Sequence, residues 1–93
     1  MKQLLNFGTD FSLGAEPDNK KIRLVIYKKD LELVCRKTTL MEIKRFLDST
    51  EEKLFKGRLQ LLKDHDHILI KAKNEVAGIT TRQALYNYLA SVS

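Results

Sequence analysis

The sequence predicts an α+β domain of order ββαββα, with one antiparallel sheet and two helices packed on one face. Three observations carry that prediction. The stretch "KIRLVIYKKDLELVCRKTTLMEIKRFLDS" and the stretch "KGRLQLLKDHDHILIKAKNEVAGITTRQALYNYLAS" each read as strand, turn, strand, helix, so the chain is a weak internal repeat. Each helix opens on a capping-box pattern, Thr39-x-x-Glu42 and Thr80-x-x-Gln83, in which a hydroxyl and an acid or amide satisfy two orphan backbone donors. Strict alternation leaves one continuously apolar sheet face, and both helices need such a face to cover.

Length and composition set the frame. Ninety-three residues suit one domain with one modest core. With 43% apolar and 31% charged residues, the chain has the balance of a globular protein rather than a disordered one. A single cysteine, Cys35, excludes a disulfide within the chain and any cysteine-based metal cluster. The start "MKQLLNFGTDF" has no long apolar stretch. No run approaches the roughly 18 apolar residues of a membrane span. A cytoplasmic location is expected, with no membrane partner.

Residues 1–20 read as an N-terminal arm and residues 21–93 as the single domain. The arm holds two glycines and the only proline, Pro17, which favour turns. A short strand near Leu4–Phe7 fits inside it. Its Leu4, Leu5, Phe7, Phe11 and Leu13 are too apolar for a solvated tail, so the arm is expected to dock on the domain or on a second chain.

The elements follow in order. Ile22–Lys28 alternates, with Ile22, Leu24 and Ile26 inward and Arg23, Val25 and Tyr27 outward. Lys29-Asp30 fits a two-residue turn. The return strand, Leu31–Lys37, then pairs Ile26 with Leu33 and Leu24 with Cys35 inside. Outside, the same register pairs Tyr27 with Glu32, Val25 with Val34 and Arg23 with Arg36. A helix from Thr39 to about Ser49 gathers Leu40, Ile43, Phe46 and Leu47 on one stripe. In the second half, strands near Arg58–Lys63 and His67–Lys73 pair Leu61 with Ile70 and Leu59 with Ala72 inside. They pair Leu62 with Leu69 and Gln60 with Lys71 outside. A loop of two or four residues in "DHDH" keeps that alternation, whereas three would invert it. Asn74–Ile79 reads as a connection with room for a very short strand at Val76–Gly78. The last helix, from about Thr81 to Ala90, buries Leu85, Tyr88 and Leu89 and exposes Tyr86. Phe46 and Phe55 are expected in the core.

No residue pattern specifies catalysis. His65-x-His67 has Asp64 and Asp66 beside it, but no further His or Cys completes a tetrahedral metal shell. Cys35, read as inward, is a small core residue rather than a nucleophile. Glu51-Glu52 and the Asp64/Asp66 pair lie at a helix end and on a loop, with no pocket implied to raise a pKa. Gly8 and Gly14 lack the spacing of a phosphate-binding loop. The reading is a non-catalytic module with no cofactor, no metal and no small-molecule substrate.

The outer sheet face is where a partner is expected. Net charge is +5, and residues 19–37 alone carry seven bases against two acids. By parity that face displays Lys21, Arg23, Tyr27, Arg36, Arg58, Lys71 and Lys73. Such a face suits an anionic partner, and with an aromatic it suits nucleic acid. Val25, Val34, Leu62 and Leu69 run across its middle as an apolar stripe, which suits self-association. The preferred expectation is a homo-oligomer built on the stripe. The alternative is a nucleic-acid-binding accessory protein that uses the basic residues.

Overall fold

In the computed structural model, eight strands and two helices run in the order ββββαββββα. Residues 4–7 and 10–92 are described, the side chain of Val92 excepted. The first half holds β1 (Leu5–Asn6), β2 (Phe11–Asp18), β3 (Lys21–Lys28), β4 (Leu31–Thr38) and α1 (Leu40–Asp48). The second holds β5 (Lys53–Leu54), β6 (Leu59–Asp64), β7 (His67–Ala72), β8 (Glu75–Thr81) and α2 (Arg82–Val92). Strands β1 to β4 form one antiparallel sheet and β5 to β8 a second, each in chain order.

This overturns the expected single sheet with both helices on one face. The repeat is real, but its unit is a four-stranded meander and a helix. The strand missed in the first half is β2, whose Gly14 and Pro17 signal turns. Pro17 is tolerated because of its register. The two-residue turn Asn19-Lys20 makes Asp18↔Lys21 the hydrogen-bonded pair, so Pro17↔Ile22 falls at a position where no bond is exchanged. The missing N–H points away from β3. On that side, among the described residues, β1 pairs with Ser12 and Leu13. Ala15 has the same parity, and its N–H donates to the Tyr88 hydroxyl of α2 at 2.9 Å.

A second departure is a register shift in β4. Tyr27↔Glu32 pairs as expected, but a bulge between Ile26 and Tyr27 makes Ile26 face Val34, Val25 face Cys35 and Leu24 face Arg36. One extra residue flips every later side chain of β4 to the other face. Val34 therefore joins the core at 6% exposure, while Cys35 is exposed and not the inward residue expected. The β6–β7 register is the expected one, closed by the two-residue turn His65-Asp66 with His65 at φ 57°. Lys73 and Asn74, both at positive φ, turn the chain into β8, a full strand where a very short one was expected.

Thr39 caps α1 by accepting from the Glu42 N–H at 3.1 Å, while the Glu42 carboxylate accepts from the Thr38 hydroxyl at 2.9 Å. The second cap sits one residue later than expected. Thr81 accepts from the Ala84 N–H at 3.0 Å, and Thr80 stays in β8 opposite Ile68. The far end of α1 is closed from β6. The Lys63 ammonium donates to the carbonyls of Phe46 and Ser49 and lies 4.7 Å from the Phe46 ring centre. A cation there complements the negative end of the helix dipole. Burial, and next the charge of Arg82, hold its pKa below the usual lysine value.

One core joins the halves. Leu13, Ile26 and Val34 of the first sheet, Leu61 and Ile70 of the second, and Ile43, Phe46, Leu85 and Leu89 of the helices form a single cluster. The sheets also meet at two corners. Gly78 of β8 lies against Phe7, whose carbonyl oxygen is 2.4 Å from where a Cβ would stand, so only glycine fits. At the other corner β4 approaches β6.

Candidate functional site

With two sheets there are two outer faces, and the residues expected on one are divided between them. On the first sheet the outer rows are Ser12–Tyr27–Glu32, Gly14–Val25–Cys35 and Glu16–Arg23–Lys37. Two of its bases are matched. Arg23 is bonded to Glu32 and lies 3.6 Å from Glu16, and Lys37 lies 3.1 Å from Asp18. The bulge removes the expected juxtaposition of Arg23 and Arg36, since Arg23 now faces Lys37. Tyr27 lies over Gly14, with its Cε2 at 3.0 Å from where a Cβ would stand, and Leu4 at 3.1 Å shares the spot. Lys21 is exposed at the start of β3, opposite Asp18.

The expected apolar stripe does not exist as one strip. Val25 is on the outer face but fully covered, at 0% exposure, and Val34 is in the core. Leu62 and Leu69 do lie side by side, half-buried, on the outer face of the second sheet. There the row runs Lys53–Leu62–Leu69–Ile79 across all four strands, and the next row is Gln60–Lys71–Val76. Ile79 is 53% exposed and Val76 is 54% exposed. Neither was a candidate from the sequence, because both fall in the stretch read as a connection. Their signal was the β-branched content of "EVAGITT".

The remaining basic candidates collect where β4 approaches β6. Arg36, on the inner parity of β4, lays its guanidinium 4.4 Å from the centre of the Phe55 ring. Phe55 is buried and held at φ 70°, a left-handed backbone that bulky residues rarely adopt. Arg36 Nη1 is 3.7 Å from where a Gly57 Cβ would stand. Arg58 follows directly, and its carbonyl accepts from the Lys73 N–H at 2.9 Å. Lys71 pairs with Gln60, whose side chain donates to the Gly57 carbonyl at 3.0 Å. Arg58 also lines an open surface cleft with Glu32, Leu33, Val34 and Cys35.

His65 and His67 stand exposed about the β6–β7 turn, and His65 lies 3.8 Å from Asp64. Among the described residues no three His, Cys, Asp or Glu side chains are grouped so as to hold a metal ion. A second open cleft, between the end of α1 and the start of α2, is crossed by Arg82 and Asp48, 3.7 Å apart. No helix among the described residues is long and apolar enough to cross a membrane. Comparison with protein-family models, with curated proteins and with solved structures finds no match.

Proposed function

We propose that the chain is a non-catalytic assembly module that pairs with a second copy of itself through the outer face of the second sheet. The observation that supports this is the apolar row Leu62–Leu69–Ile79 with Val76 beside it, two of whose members are more than half exposed. A twofold contact is self-complementary, so the row meets its own copy. Burying a large aliphatic side chain in full yields roughly 1.5–3 kcal/mol. These four begin partly covered, and association costs several kcal/mol in lost freedom. The expected complex is therefore a weak to moderate homodimer. The first sheet offers less, because Val25 is covered and the middle of its outer face carries the ion-paired Arg23, Glu16 and Glu32.

Ile79→Lys tests the reading, since the side chain is exposed and its replacement leaves the core untouched. Sedimentation over a range of concentrations should show the wild-type mass rising towards two chains and the variant remaining at one. A wild-type mass of one chain at the highest concentration removes the proposal.

A further inference from the structure

The five cations Arg36, Lys56, Arg58, Lys71 and Lys73 belong to one seam, where the exposed edge of β4 meets the start of β6 and the β7–β8 turn. Arg36 touches the Phe55–Gly57 segment that carries Lys56, Arg58 follows it in sequence, and Lys73 is hydrogen-bonded to Arg58 across the hairpin. Lys71 lies one residue pair further along, opposite Gln60. Among the described residues none of the five pairs with a carboxylate. The carboxylate in the adjoining cleft, Glu32, is held by Arg23. Glu75 faces Ala72 and makes no ion pair with Lys71 or Lys73. On the first sheet Arg23 and Lys37 are paired with carboxylates, and the other described cations without such a pair, Lys20, Lys21, Lys28 and Lys29, stand at the strand ends and hairpin turns.

We propose that the seam binds a single-stranded nucleic acid, holding its phosphates with Arg58, Lys73, Lys71 and Lys56 and stacking an unpaired base on Arg36. The cations are carried by β4, the segment before β6, β7 and the β7–β8 turn, a spread that suits successive phosphates of a chain better than one small anion. Arg36 supplies the reason for a single strand. Its guanidinium carbon sits over the Phe55 ring, 4.4 Å from the ring centre, and the residue is exposed. A planar cation fixed in that way offers a flat surface to a base whose own face is free, and bases in a duplex have no free face. The site does not require self-association.

The test uses the full chain and a fluorescently labelled oligothymidylate, with binding followed by anisotropy across salt concentrations. The wild type should bind, and tightly enough at low salt for a slope of log affinity against log salt to be read. Each phosphate contact contributes about 0.7 to that slope for a single strand. The double variant Arg58→Gln with Lys73→Gln should therefore flatten it by about 1.4. Lys20→Gln with Lys29→Gln removes equal charge at the hairpin tips of the first sheet and should change it far less. Arg36→Lys keeps the charge but loses the plane, so affinity should fall while the slope stays. Circular dichroism identical to wild type establishes that each variant is folded. Absence of binding at low salt overturns the proposal. So does an equal loss in the Lys20/Lys29 control, equal affinity for duplex of the same length, or binding to phosphatidylserine vesicles without binding to the oligonucleotide.

Discussion

A single hydroxyl decides where α2 begins. Thr80 and Thr81 are adjacent, and only Thr80-x-x-Gln83 has the capping-box spacing, so the sequence points to the wrong one of the two. The choice is made by β8. Thr80 faces inward at 8% exposure opposite Ile68, and Thr81 reaches the Ala84 N–H from the last position of the strand. Thr81→Ala should therefore cost about 0.5–2 kcal/mol of stability, read from the urea midpoint. It should also speed amide exchange at Ala84. An unchanged midpoint with unchanged exchange would mean that the hydroxyl is not the cap. The same limit governs the candidate residues of β4. Val34, Cys35 and Arg36 exchange faces because one residue is inserted beside Leu33, and a bulge leaves no mark on an alternating pattern. The candidates of β6 and β7, Leu62, Leu69 and Lys71, were placed correctly because their hairpin has no bulge between them.

At the level of elements, β3, β4, β6, β7 and both helices were legible from periodicity, and β2 was not. Phe11, Leu13 and Ala15 alternate in it, but Gly14 and Pro17 read as turn signals and masked that period; β3 pairs with it along its full length. Tyr88 then ties α2 to its far side. Tyr88→Phe would leave the Ala15 N–H without that acceptor, a loss of about 1–3 kcal/mol. The tie also has a pH dependence. Burial, with smaller contributions from the charges of Tyr27 and Glu16, raises the Tyr88 pKa above its ordinary 10.0, against the lowering effect of the Ala15 N–H. The folded state thus favours the neutral phenol. Its contribution is complete below pH about 10 and declines as pH rises through the folded value, because the unfolded chain ionises first. Denaturant midpoints measured across that range should fall more steeply for wild type than for Tyr88→Phe. Parallel curves for the two proteins would show that Tyr88 is not responsible.

For the whole molecule, the two halves are separate in their sheets and joined in their core. Among the described residues no strand of one half pairs with a strand of the other, yet Phe46, Leu61, Leu85 and Leu13 belong to one cluster. The core should dominate, since a half alone would expose the apolar face that the other half covers. A single unfolding transition, coincident by fluorescence of the tyrosines and by far-ultraviolet circular dichroism, is the expected result. Two separated transitions would show that the halves are independent. The chain-order meanders also bear on how the protein reaches this state. Every sheet pairing joins neighbours in sequence, and turns as short as two residues close the hairpins β2–β3, β3–β4, β6–β7 and β7–β8. Loops this small close with little loss of entropy, so the hairpins are available early. What is slow to find is the docking of distant segments: Tyr88 against Ala15 and Phe7 against Gly78. Substitutions at those docking points should chiefly accelerate unfolding, while changes within the hairpins should slow refolding.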